Sequence, residues 1–429
     1  MGSFTPSRLA LARRRRGLTK TALAARSSIS GKSLWAYEAG VQEPTEATLE
    51  QLAETLDFPV AFFARPDCEE PPAMGSSFRA LTKTTATRRD QALSAGALAL
   101  ELSDWIHARF RLPEPAIPRY RSVDPETAAA AVRSEWGLGE QPIPNMVDLL
   151  ELKGVRVFSL PEEVRDIDAF SFWRGDVPYI FLNTSKSSEH SRMDAGHELG
   201  HLVLHSSHGV PRGREEEREA QHFGAAFLMP RGSVIAGAPR SANVRDLIIA
   251  KHRWGVAVAS LVYRMHQLGL LTDWQYRSLF IEMSASGYRQ DEPSPIAHEA
   301  SQVLAKVFSM LRADGLRRQD IARQLSIPVQ ELNKLVFGLV MTGMEGKGLG
   351  VKTDRPSSGS RELAMSPPGF HTSFTFRRAP TPAAATRAQD IREEPSVTAS
   401  SLRSPRRETH SIGDARGGSR AEQCNGVEV

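Results

Sequence analysis

The sequence predicts a multidomain protein that is mainly α with a small β-sheet, and three observations carry that reading. With 429 residues, 40% apolar and 24% charged, the chain exceeds one ordinary domain and reads as two or three folded units. Helical periodicity dominates it, and β-rich runs are confined to a short stretch before residue 184. Beyond about 345 the composition turns to Ser, Pro, Arg, Gly and Ala with little apolar periodicity. The tail at 346–429 is therefore expected to be disordered, because it cannot bury enough apolar surface to offset ordering entropy.

Bulk properties narrow the class further. No run approaches the roughly eighteen apolar residues of a membrane span. The opening "MGSFTPSRLALARRRRG" has basic residues with no apolar segment behind them, unlike a secretion signal. Pro6 stands where a lipidation motif on Gly2 needs Ser or Thr. Cys68 and Cys424, the only cysteines, lack metal spacing and suit a reducing cytosol. A cytoplasmic protein is expected. The net charge of +4 is modest, so a nucleic-acid reading must rest on local motifs.

The elements follow in order. Residues 1–67 read as an all-α helix-turn-helix unit. Leu18, Leu23, Ala24, Ile29, Leu34 and Tyr37 have the spacing that packs two short helices across a tight turn. Ser30 is placed to N-cap the second of them, and Leu49, Leu52, Ala53 and Leu56 stripe a supporting helix. Residues 1–66 hold nine Lys/Arg against six Asp/Glu. The run Arg13 to Arg16 cannot share one helix face, and a solvated surface explains it at least as well as DNA contact.

Residues 68–124 read as a helical connector, with a long amphipathic helix at 84–110. From 125 to 290 the pattern is mixed. "ETAAAAVRSEWGL" is helical, and "GVRVFSL", "AFSFW" and "PYIFLN" are strands, the last two joined by the turn-like "RGDV". Next come a helix carrying "DAGHELGHLVLH", a second at about 214–228 that stops at Pro230, and further helices to 282. Residues 291–345 read as a helical C-terminal module. Its Leu316, Ile321, Ala322, Ile327, Leu332 and Leu335 repeat the intervals of the first helix-turn-helix. There Val329, Gln330 and Glu331 would face DNA, and a carboxylate opposes phosphate, so packing or dimerisation is the better expectation.

The motif helix carries the chemistry. His197 and His201 at i and i+4 project from one face and can reach one zinc ion, with Glu198 beside them to take a proton from a bound water. His205 lies about 12 Å from His197 along the axis, too far for one ion with bonds of about 2 Å. The next helix offers a third ligand. Ala220, Gln221, Phe223 and Ala225 follow an inward phase, and Glu217 points to the same face. Glu215, Glu216 and Glu219 read as solvated. The oxyanion partner is not readable, with Tyr179, Tyr263 and His222 unranked.

Two resemblances add to this. The N-terminal segment resembles the XRE (Cro/repressor-type) family of DNA-binding domains. That resemblance implies a recognition helix in the major groove of double-stranded operator DNA, with Ser30, Gly31, Lys32 and Ser33 at its leading end and Lys20 near a phosphate. "SRMDAGHELGHLVLH" and "EREAQHFGAAFLMP", with "FRAL", "NMVDLLELKGVRVF", "DAFSFW", "YIFLN", "RWGVAVASLVYRMHQLGLLTDWQYR" and "GYRQDEP", look like the ImmA/IrrE family of metallo-endopeptidases. This implies an α+β, zincin-like (gluzincin-type) domain holding zinc through His197, His201 and Glu217, with Glu198 as catalytic base. Gln221 stands where the family has Asn, Met193 where Phe is usual and Gly196 where Ala is usual.

The expected function is a DNA-binding regulator with a zinc peptidase domain that cleaves a protein, another repressor among the candidates, and that acts as a homodimer. The alternative is a non-catalytic transcription factor, or an antitoxin-like repressor, using the peptidase fold for sensing or oligomerisation.

Overall fold

The computed structural model describes residues 3–72, 85–205, 213–241 and 243–340. They fall in one unit, Met1–Ala379, while a second, Pro380–Val429, lies beyond them. The tail at 346–429 and the "FRAL" stretch fall outside the described residues.

The first unit has four helices, α1 (Pro6–Arg15), α2 (Lys20–Ser27), α3 (Gly31–Glu38) and α4 (Glu46–Leu56). Hydroxyls start three of them. Thr19, Ser30 and Thr45 accept the backbone N–H of Ala22, Ser33 and Thr48 at 3.1, 3.0 and 3.3 Å, satisfying donors that a helix start leaves unmet. Between α2 and α3 the chain turns through Ser28 in the left-handed region, φ 52. Leu9, Ala12, Leu23, Leu34, Leu52 and Phe62 are buried where these helices meet.

Helix α5 (Ala86–His107) lies against α1. Every residue from Gln91 to Leu100 is buried, so the expected amphipathic helix is instead enclosed on all sides. Gln91 and Ser94 are the only polar residues in that run, and a helix apolar all round belongs inside.

The mixed region begins with α6 (Pro125–Glu135) and α7 (Met146–Leu152). Its sheet contains β1 (Arg156–Ser159), β2 (Ala169–Arg174) and β3 (Val177–Leu182) in the order β1-β3-β2. β1 runs parallel to β3, with Phe158 opposite Phe181, and β2 antiparallel to it, with Phe172 opposite Tyr179. The β2–β3 turn uses Gly175 at φ 58, a conformation glycine adopts without strain. Rings stack along the sheet, Phe170 on Phe181 at 4.5 Å and Phe172 on Tyr179 at 5.4 Å.

Helix α8 (Ser188–Leu204) crosses this sheet, and α9 (Arg214–Leu228) packs along α8. The layer is completed by α10 (Arg231–Gly237), α11 (Val244–Lys251), α12 (Val258–Gln267) and α13 (Asp273–Ala285). Fully buried Lys251 bonds Glu189 at 2.8 Å and lies 2.9 Å from Glu292. That pairing holds the chain after α13 against the start of α8.

The last module contains α14 (Gln302–Ala313), α15 (Arg318–Leu325) and α16 (Val329–Leu335). Ser326 turns α15 into α16 at φ 55, ψ 35, against φ 52, ψ 25 for Ser28. The repeated spacing thus folds into a second helix-turn-helix, but α16 faces the protein. Glu331 is 1% exposed and bonds Arg15 Nε at 2.7 Å and also Arg16. Arg13 pairs with Glu38 and Arg14 with Glu70. The four consecutive arginines are therefore all ion-paired, and Arg15, at 1% exposed, is buried. The solvated reading of the run is overturned. Among the described residues no helix is long and apolar enough to cross a membrane.

Candidate metal centre and nucleic-acid interface

Glycines bring α8 and α9 together. A Cβ on Gly224 would stand 2.8 Å from the His197 backbone nitrogen, and one on Gly200 would stand 3.0 Å from the Ala220 backbone oxygen. The backbones of the two helices therefore touch, with no side-chain layer between them. Glu217, in the first turn of α9, is carried level with the histidines of α8. The start of α9 is fixed because Gly213 donates its N–H to the Glu216 carboxylate at 2.7 Å.

The three ligand-type atoms converge. His197 Nε2 lies 3.1 Å from His201 Nε2, and each stands 3.4 Å from an oxygen of Glu217. A tetrahedral ion with bonds of about 2.0–2.1 Å separates its ligand atoms by about 3.3 Å, so this donor set fits a metal. Buried Glu217 Oε1 has no hydrogen-bond partner, which suits an atom reserved for a cation. Burial pushes the Glu217 carboxyl up, but the His197 and His201 rings beside it outweigh that and hold the group below the usual carboxylate range. For His197 burial works downward and is outweighed by Glu217, Glu198 and Asp194, which raise it. The pocket favours positive charge.

Support comes from behind the ligands. His205 Nδ1 lies 3.2 Å from His201 Nδ1, and its Nε2 lies 2.7 Å from Glu219. Glu219, expected to be solvated, therefore holds His205 against His201, the kind of contact that orients a ligand ring. Gln221 is exposed, contrary to the inward position expected of it. The inward positions are Ala220 and Gly224, and Gln221 falls on their flank. Glu198 is 2% exposed, and Ser171 Oγ of β2 donates to its carbonyl at 3.4 Å. Of the unranked oxyanion candidates, Tyr179 pairs with Ser103 and His222 with Glu126, while Tyr263 is exposed on α12.

A second cluster was not anticipated. Asp168, His190 and Asp194 bring ligand-type atoms within 4.8 Å of one another. Lys186 already pairs with Asp168 there, so a cation is present without a metal.

At the other end, α3 presents Gly31 and Lys32 outward, and a Cβ on Gly31 would meet nothing within 4 Å. Ser33 is half-buried, and its hydroxyl lies 2.8 Å from that of Ser30. Lys20 is exposed, but its ammonium stands 3.2 Å from Glu38, so part of its charge is answered within the fold. Trp35 was missed by the sequence reading. It is 55% exposed, one turn beyond Lys32. Its signal was available, since it falls out of phase with the buried Leu34 and Tyr37.

Family profiles match the two regions that contain these residues. A helix-turn-helix domain profile matches residues 7–64, and an IrrE N-terminal-like domain profile matches residues 150–266. A search of curated proteins finds no match. The chain joins an XRE-like helix-turn-helix domain to an IrrE/ImmA-like domain of metallopeptidase type.

Proposed function

We propose that the chain is a cytoplasmic DNA-binding transcriptional regulator whose central domain is a zinc-dependent endopeptidase acting on a repressor-type protein. The observation that carries this reading is the triangle of His197, His201 and Glu217, with sides of 3.1 to 3.4 Å. These three side chains would hold a zinc ion, which when bound would supply Lewis acidity toward a water and the scissile carbonyl. Glu198, buried beside His197, serves as the general base. His205 and Glu219 keep the His201 ring in place, and Ser171 ties the motif helix to the sheet. In the first unit, Ser30, Gly31, Lys32 and Ser33 lead α3 into the major groove and Lys20 lies toward a phosphate. A homodimer matches a two-fold operator.

Metal analysis and N-terminal labelling test the peptidase half. The purified protein should hold about one zinc per chain, and Glu217→Ala should lose most of it. Lysate treated with the protein should show new N-termini, and Glu198→Gln should retain zinc while generating none. Equal cleavage by Glu198→Gln would end the reading.

A non-catalytic sensor is the second reading. It is favoured by the buried Arg15–Glu331 contact, which joins the DNA-binding unit to the C-terminal module. It expects zinc without turnover, and operator binding unchanged by His197→Ala.

A further inference from the structure

Beside the second helix-turn-helix lies a cleft of about 860 Å³, a size that suits a small organic ligand. One wall is the chain after β1, including Glu162, and the other comes from α14, α15 and α16. Four cationic side chains, Arg312, Arg317, Arg318 and Lys334, line it against the single carboxylate of Glu162. Lys334 pairs with Glu163 next to that wall. Arg318 donates to Asn333 at 3.3 Å and lies over the Phe308 ring. Arg312 and Arg317 are exposed, and the cleft keeps a surplus of positive charge. Phe337 also lines it and is 50% exposed.

An uncovered ring beside concentrated positive charge is matched by a ligand that is both flat and anionic. We propose that the cleft binds a small organic anion with a flat apolar body. Arg312 and Arg317 hold its carboxylate or phosphate, and Phe337 receives its ring. Neither the metal centre nor α3 contributes to this site. Lys334 links it inward, since its ammonium stands 3.8 Å from Glu331, the carboxylate that holds Arg15 and Arg16. An occupant therefore sits one ion pair away from the DNA-binding unit.

Calorimetric titration of the full chain with naphthoate and with AMP tests this and separates a carboxylate source from a phosphate one. The expected result is saturable binding of at least one probe, weakened about tenfold or more by Arg312→Gln combined with Arg317→Gln. Phe337→Ser should weaken it independently. All three side chains are solvent-accessible, and thermal melts confirm that the variants remain folded. Preference for naphthoate or AMP identifies the head group. Absence of saturable binding by both probes, or binding unchanged by these substitutions, overturns the proposal.

Discussion

The two helix-turn-helix units share spacing and turn geometry yet present opposite surfaces. Position by position, Gly31, Lys32 and Ser33 correspond to Val329, Gln330 and Glu331. The first three lead a helix whose outer face carries Lys32 and Trp35 into solvent. In the second unit the third position is a carboxylate buried against Arg15 and Arg16. One motif thus reads outward and its echo holds the reader. Two charges at the leading end of the second helix differ: the cation of Lys32 is replaced by neutral Gln330, and Ser33 by the carboxylate of Glu331, which phosphate would repel and the arginines of α1 attract. Backbone likeness alone says nothing about DNA binding.

Removing that charge should give the largest effect. Glu331→Ala leaves buried Arg15 with only the more distant Glu163 carboxylate, at 3.7 Å, and a loss of about 3 kcal/mol is expected in denaturant unfolding. Ser33→Ala, at the matching position, should stay within about 1 kcal/mol. Equal losses at the two sites would break the contrast.

DNA binding sharpens it from the other side. Lys32→Ala should cost about 1–3 kcal/mol at the preferred site and relax base preference. Gln330→Ala should leave binding unchanged in fluorescence anisotropy. Lys20→Ala should weaken all sequences alike and lower the salt slope by about 1 or less, because Glu38 already takes part of that charge.

A smaller effect should follow pH where the last module docks on the central domain. Where α7 meets the start of α14, burial pushes Glu151 up to about 7 from its ordinary 4.5 and Asp148 up to about 6. Both carboxyls are held more firmly protonated in the folded protein. Their contribution is therefore complete below the ordinary range and is lost as pH rises through about 7. Thermal melts from pH 5 to 8 should show falling stability, and Glu151→Gln should flatten the trend. A rising profile would reverse the assignment.

The smallest effects concern the turns. Ser28→Gly and Ser326→Gly should each stabilise by up to about 1 kcal/mol, since both serines occupy the left-handed region that glycine enters more easily. A gain at one turn only would show that the two are less alike than their angles.

Much of this was legible from periodicity. The Leu and Ile intervals mark both helix-turn-helix units, and the i, i+4 histidines together with the phase of the next helix point His197, His201 and Glu217 at one another. What was not legible depended on partners far away in sequence. Nothing near Arg15 announces Glu331, because the pair is made only when the last module folds back on α1. The burial of α5 is masked in the sequence by the polar residues that flank its small and apolar run Gln91–Leu100. Gln221 was placed inward because the contribution of Gly224 was overlooked. A glycine has no hydropathy to signal a face, yet here it marks the closest contact.

That contact also bears on how an ion would be taken up. Gly196, Gly200 and Gly224 set the separation of the helices that carry His197, His201 and Glu217 through backbone contact, so helix packing fixes the spacing of the triangle. Little conformational entropy is left for metal binding to remove, and chelation should leave the far-ultraviolet circular dichroism nearly unchanged. A metal bound there is expected to enter a socket and not to act as a staple.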